Sequence, residues 1–180
     1  MRRSLSAPVL GLLSGVWLFA LGCGPAPEDL VSNLSSANPV IREDTAKIAR
    51  NFDSEPLRKA LIQALSDESE TVRLNAVESL TELGATEAVS GLLPLLDADP
   101  SPQVRRAVVE ALGRLGDPQA VPALIDYVQT GTETSPPYNA IWALGNLGDG
   151  QALELLSSLR ESPDPYVVWN ANRALGQLRP

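Results

Sequence analysis

The 180 residues contain no histidine and a single cysteine, Cys23. Lack of histidine removes the commonest general base near neutral pH, the commonest metal ligand and most nucleophilic triads. One cysteine cannot close a disulfide within the chain, so stability must come from packing. No stretch alternates apolar and polar residues over the length of a strand, so no sheet is expected. With no strand, there is no glycine-rich phosphate loop following one. Basic residues are also scarce. Setting aside Arg2 and Arg3 leaves 12 of the 14 basic residues against 22 acidic ones, a net charge of −10 beyond the N-terminal segment. That balance disfavours nucleic acid and anionic lipid headgroups as partners. Long hydrophobic runs are missing too. The apolar run from Ala7 to Gly22 has 16 residues, short of the ~20 that span a bilayer.

What the N-terminus does have is a basic start, Met1-Arg2-Arg3, then that short apolar run, then Ala20-Leu21-Gly22-Cys23. This order resembles a bacterial lipoprotein signal peptide. The resemblance implies a signal peptide over residues 1–22, cleavage before Cys23 and lipidation of Cys23, with residues 23–27 as the lipidated cysteine and a short linker. Several acyl chains, each worth about 0.8 kcal/mol per buried CH₂, anchor a protein stably where one chain does not. The expected location is therefore the extracytoplasmic side of the bacterial cell envelope, with the lipid on Cys23 as the membrane contact. Gly24 stands where some two-membrane bacteria read an inner-membrane retention Asp, which favours the outer membrane. Only Gly24 to Pro27 separate the lipid from the repeats, and four extended residues reach at most about 14 Å.

From there on, one unit recurs five times. Its copies begin at Ile41, Val72, Val104, Pro136 and Val167, spaced 31, 32, 32 and 31 residues apart. The fourth position after each start holds Thr45, Ala76, Val108, Ala140 and Ala171. The eighth holds Ala49, Leu80, Leu112, Leu144 and Leu175, and the eleventh holds Phe52, Leu83, Leu115, Leu147 and Leu178. These offsets share one face of a helix. Another helix precedes each of these, with Leu30, Leu61, Leu92, Leu124 and Leu156 in one column. Asp117-Pro118 reads as a start signal, and Gly84, Gly116 and Gly148 read as stops. Gly113, Gly145 and Gly176 lie where helices pack closely. A fixed period of this length marks a solenoid.

The "VRRAVVEALGRLG" line at Val104 and the A-L-G ending of later copies resemble HEAT repeats, most nearly the HEAT-like class of phycobilisome lyases. The implied fold class is all-α, an α-solenoid of about five HEAT-like helix pairs over residues 28–180. The family includes enzymes, but the His-Glu pairs that hold iron in one HEAT-like hydroxylase are missing, and no residue matches a lyase catalytic group. No catalytic residue, metal or cofactor is expected. Asp67, Glu68, Glu70, Asp97 and Asp99 lie just before second helices and read as caps and as complements of the helix dipole. Arg42, Arg73 and Arg105 share a column and are expected to bridge neighbouring repeats. Asn75, Asn139 and Asn170 share another, reading either as bonds to adjacent backbone or as ligand contacts.

The outer face of the second helices changes character along the chain. Positions two and six after each start hold Glu43 with Lys47, Leu74 with Glu78, Arg106 with Glu110, Tyr138 with Trp142, and Trp169 with Arg173. Glu43–Lys47 and Arg106–Glu110 read as ion pairs along one helix. The later pairs bring aromatic rings, with Tyr166 nearby. In related solenoids the second helices line the concave surface. Tyr138, Trp142, Trp169, Arg173 and Tyr166 are thus candidate partner-binding residues, or else a structural cluster at the C-terminal end. The reading is a membrane-anchored scaffold or assembly factor for a protein partner. The alternatives are a lyase-like enzyme and a purely structural envelope lipoprotein.

Overall fold

The computed structural model describes residues 25–130 and 137–178. The signal segment and Cys23 lie outside the described residues. Among the described residues, ten α-helices alternate in two layers and there is no strand. The first helices of the pairs are α1 (Pro27–Leu34), α3 (Glu55–Ala64), α5 (Val89–Ala98), α7 (Val121–Thr130) and α9 (Leu153–Ser158). The second helices are α2 (Pro39–Ile48), α4 (Glu70–Glu82), α6 (Pro102–Leu115), α8 (Tyr138–Leu147) and α10 (Pro165–Leu175). The chain is an α-solenoid.

The sequence columns become the core. Leu30, Leu61, Leu92, Leu124 and Leu156 are buried in the first helices, facing buried Ala76, Val108, Ala140 and Ala171 in the second. Leu80, Leu112 and Leu144 are fully enclosed. The eleventh-position residues Phe52, Leu83, Leu115, Leu147 and Leu178 close the edge of that core half-buried. Gly84, Gly116 and Gly148 end their helices at φ of 64°, 74° and 66°, a left-handed conformation in which a Cβ is strained. Asp117 accepts the Gln119 N–H as expected, but Pro118–Ala120 is a 3₁₀ turn leading into α7.

Packing is tightest between successive second helices. A Cβ on Gly113 would stand 2.7 Å from the Ala143 Cβ, and one on Gly145 would stand 2.8 Å from the Ala174 Cα. Gly176 has no such neighbour. First helices touch one another less extensively, so the second-helix layer is the inner side of the stack.

Arginines lock the repeats together. Arg42 Nε and Nη2 donate to both oxygens of Asp67, at 2.7 and 3.0 Å, and Nη1 donates to the Ser36 carbonyl. Arg73 repeats this on Asp99, again at 2.7 and 3.0 Å, with Nη1 on the Asp67 carbonyl. Arg105 places Nη1 on the Asp99 carbonyl. Asp67 and Asp99 thus serve the arginines of the preceding repeat. The cap positions belong to Ser69 and Ser101, which corrects the expectation that acidic residues cap these helices. Burial alone would raise both carboxyls, but their arginines, together with the N–H groups of Ser69 and Ser101, hold them below the usual range. Where the fourth repeat has Pro137 in place of arginine, the matching loop position is Ser162 rather than Asp.

Candidate functional site

The face that differs from repeat to repeat is the exposed side of the second helices. In the first three repeats it is polar except for Leu74, which packs half-buried against the core. The expected pairs along one helix are replaced by other contacts. Glu43 accepts a hydrogen bond from Ser69 Oγ across the repeat boundary, at 2.8 Å. Glu110 faces Arg114 one turn on, at 3.7 Å. Of the asparagine column, Asn75 donates to the Glu43 carbonyl of the preceding repeat, and Asn170 donates to the Tyr166 carbonyl of its own helix. Asn139 is exposed on α8.

The last two repeats carry the rings. Helix α8 starts at Tyr138, one turn later relative to its repeat than the other second helices, because Pro137 occupies its cap position. Tyr138 then reaches across to the next repeat and donates its hydroxyl to Asp164 Oδ2, at 2.6 Å. Asp164 caps α10 through the Tyr166 N–H, at 2.8 Å. The hydroxyl of Tyr138 and the N–H of Tyr166 hold the Asp164 carboxyl below its usual range, while the bond to Asp164 raises the phenol. Position two therefore touches the next cap in both settings: Glu43 accepts from Ser69, and Tyr138 donates to Asp164.

The structure divides the five candidate residues into two groups. Tyr138 and Trp142 are half-buried and pack against the core. The Trp142 ring lies over Gly113, its Cζ3 being 2.9 Å from where a Cβ would stand. Sequence position six is thus not wholly on the solvent side here. The missing Cβ of Gly113 one repeat earlier is the signal that makes room for the ring. Tyr166 and Trp169 are 70% and 58% exposed. Tyr166 meets Tyr138 edge to face, with ring centroids 6.2 Å apart. The Arg173 guanidinium lies 5.6 Å from the Trp169 ring centroid.

Two shallow grooves run along this face. Each is about 300 Å³, and they share Glu110. The groove between α4 and α6 is lined by Glu78, Glu82, Glu110 and Arg114. Its neighbour, spanning α6, α8 and α10, is lined by Glu110, Tyr138, Asn139, Trp142 and Asn170. Among the described residues no three acidic or thiol groups converge as metal ligands. Together the grooves present ring faces, amides, Arg114 and three carboxylates, of which Glu110 is common to both.

Paired helices in a two-layer stack, with a variable inner face, define a helical-repeat protein. The family model for HEAT repeats matches residues 27–100 and 59–136, and that for the PBS lyase HEAT-like repeat matches residues 136–161. The chain belongs to the HEAT-repeat family. It is 32% identical to a chain in the complex of CpcE and CpcF of phycocyanin lyase from Nostoc sp. PCC7120, covering 92% of this chain and 70% of that one, with a TM-score of 0.71. A computationally designed armadillo repeat protein for modular peptide recognition is 25% identical, over 83% of this chain and 81% of that one, with a TM-score of 0.57. Another designed armadillo repeat protein shares the fold at 24% identity, with coverage of 83% and 81% and a TM-score of 0.58. No curated protein matches the chain.

Proposed function

We propose that this protein is a lipid-anchored scaffold that holds a protein partner on the second-helix face of its last two repeats, on the extracytoplasmic side of the bacterial envelope. The observation that carries this reading is the exposure of Tyr166 and Trp169 beside a groove floored by Tyr138 and Trp142. Large aromatic rings left open beside a polar rim are the residues that dominate protein interfaces. Protein partners also suit the repeat fold, which builds one extended surface from many helices. The anchor rests on the signal-like sequence before Cys23.

Two experiments test the reading. Tyr166→Ala with Trp169→Ala should abolish capture of the partner from detergent-solubilised membranes while leaving the helical circular dichroism unchanged. Undiminished capture by that variant would refute the binding face. Cys23→Ser should lose incorporation of a fatty-acid analogue, and equal labelling would refute the anchor.

A lyase-like activity is favoured by the identity to the phycocyanin lyase chain. Such an activity needs ionisable groups converging on a reacting atom. The aromatic groove offers one carboxylate, Glu110. Transfer of a bilin to an acceptor protein, followed by its visible absorbance, separates an enzyme from a scaffold.

A further inference from the structure

Glu110 is the point where the two grooves meet. On one side stand Glu78 and Glu82 of α4, and on the other the rings of Tyr138 and Trp142. The grooves' lining holds three carboxylates against one arginine, and Arg106 stands exposed one turn before Glu110, outside that lining, so fixed cations offset the charge only in part. Arg50 takes Glu82 at 3.2 Å, and Arg114 stands 3.7 Å from Glu110. No ion pair reaches Glu78 among the described residues. Asn139 adds an exposed carboxamide, which offers a donor and an acceptor together. The sequence as a whole carries a net charge of −10 once Arg2 and Arg3 are set aside.

We propose that the joined grooves bind an extended basic segment of a partner protein, with a lysine or arginine side chain seated between Glu110 and the rings of Tyr138 and Trp142. This deepens the scaffold reading above and rests on it. A cation there gains twice, from the carboxylate and from the electron-rich ring faces. Its aliphatic stem lies on apolar ring surface while the charged head stays at the wet edge. Glu78 and Glu82 favour further basic residues along the same line. Asn139 matches a backbone amide, the one group every residue of an extended segment repeats. Helix axes roughly 8–10 Å apart put α4 and α10 about 25–30 Å from one another. A strand rising about 3.3 Å per residue crosses that distance in eight or nine residues.

The test uses the full chain in detergent and three probes. One is a fluorescein-labelled nine-residue peptide alternating lysine and leucine, another is its counterpart with glutamate for lysine, and the third is a labelled chitotetraose. Fluorescence anisotropy should show saturable binding of the lysine peptide, weakened by added salt, and none of the glutamate peptide. Glu110→Gln should weaken it about fivefold, the size of one exposed ion pair. Glu154→Gln, on the opposite layer, changes the net charge equally and should leave binding unchanged. Asn139→Ala, which removes no internal hydrogen bond, should weaken it too. Equal binding of both peptides, equal effects of Glu110→Gln and Glu154→Gln, or binding of the sugar without the lysine peptide would overturn the proposal. If membrane partner capture still depends on Tyr166 and Trp169 while the lysine peptide fails, the scaffold reading stands and its charge preference falls.

Discussion

Asp99 is the side chain whose loss should damage the stack most per atom removed. Its side chain is 2% exposed, and Arg73 beneath it is 11% exposed. Two guanidinium bonds and the Ser101 N–H converge on the carboxylate. Asp99→Ala strands a nearly buried guanidinium with its other bonds only to the Asp67 and Glu68 carbonyls. Breaking a buried pair on one side costs about 3–5 kcal/mol, because the remaining charge is left uncompensated. For a domain of this size, that lowers Tm by roughly 10 °C. Removing both charges with Arg73→Met and Asp99→Ala should recover much of the loss. Glu82→Ala removes an exposed partner of Arg50 and should cost under about 1 kcal/mol. Urea unfolding followed by circular dichroism measures all four proteins. A loss below about 1 kcal/mol for Asp99→Ala, or a double variant no more stable than Asp99→Ala alone, would refute the clamp.

Three further outcomes are expected. Gly113→Ala drives a methyl into the Ala143 backbone and should destabilise the fold by about 1–3 kcal/mol, whereas Gly176→Ala meets no neighbouring helix and should be neutral or slightly stabilising; paired thermal melts decide. Leu112→Ala should cost about 2–5 kcal/mol and Glu110→Ala under about 1, in the same urea assay. The folded carboxyls of Asp67 and Asp99 lie below their unfolded value. Their contribution is therefore fully present above about pH 4 and is lost as pH falls through the folded values. Melting temperature against pH should drop below about pH 4, and the drop should shrink in the double variant that lacks the Arg73–Asp99 pair.

The helix columns were legible because burial at a 3.6-residue period repeats at a fixed interval, and five copies average out local exceptions. Leu92, Leu124 and Val108 needed only that pattern. The arginine column was legible as well, but its acceptors were not. Asp99 lies 26 residues from Arg73 in sequence, and nothing local separates a cap from a clamp at Asp-Pro-Ser. With the aspartates taken by the clamp, Ser101 caps α6 with its hydroxyl, while the Ser69 hydroxyl turns to Glu43. Trp142 is half-buried although position six is charged in the other four copies. Its partner is an absence, the missing Cβ of Gly113 in the preceding repeat. The late start of α8 was written in Pro136-Pro137, and its consequence, Tyr138 reaching Asp164, required the stacked geometry. Which rings stay exposed depends on the neighbours each repeat presents, so Tyr166 and Trp169 separate from Tyr138 and Trp142 only in the folded chain.

The binding face is tested most directly by photo-crosslinking in intact cells, with a benzophenone amino acid replacing Asn139 in the groove or Glu154 on the opposite layer. A discrete partner adduct from position 139 and none from position 154 is the expected result. An adduct from 154 with none from 139 would place the partner on the other side of the solenoid and contradict it.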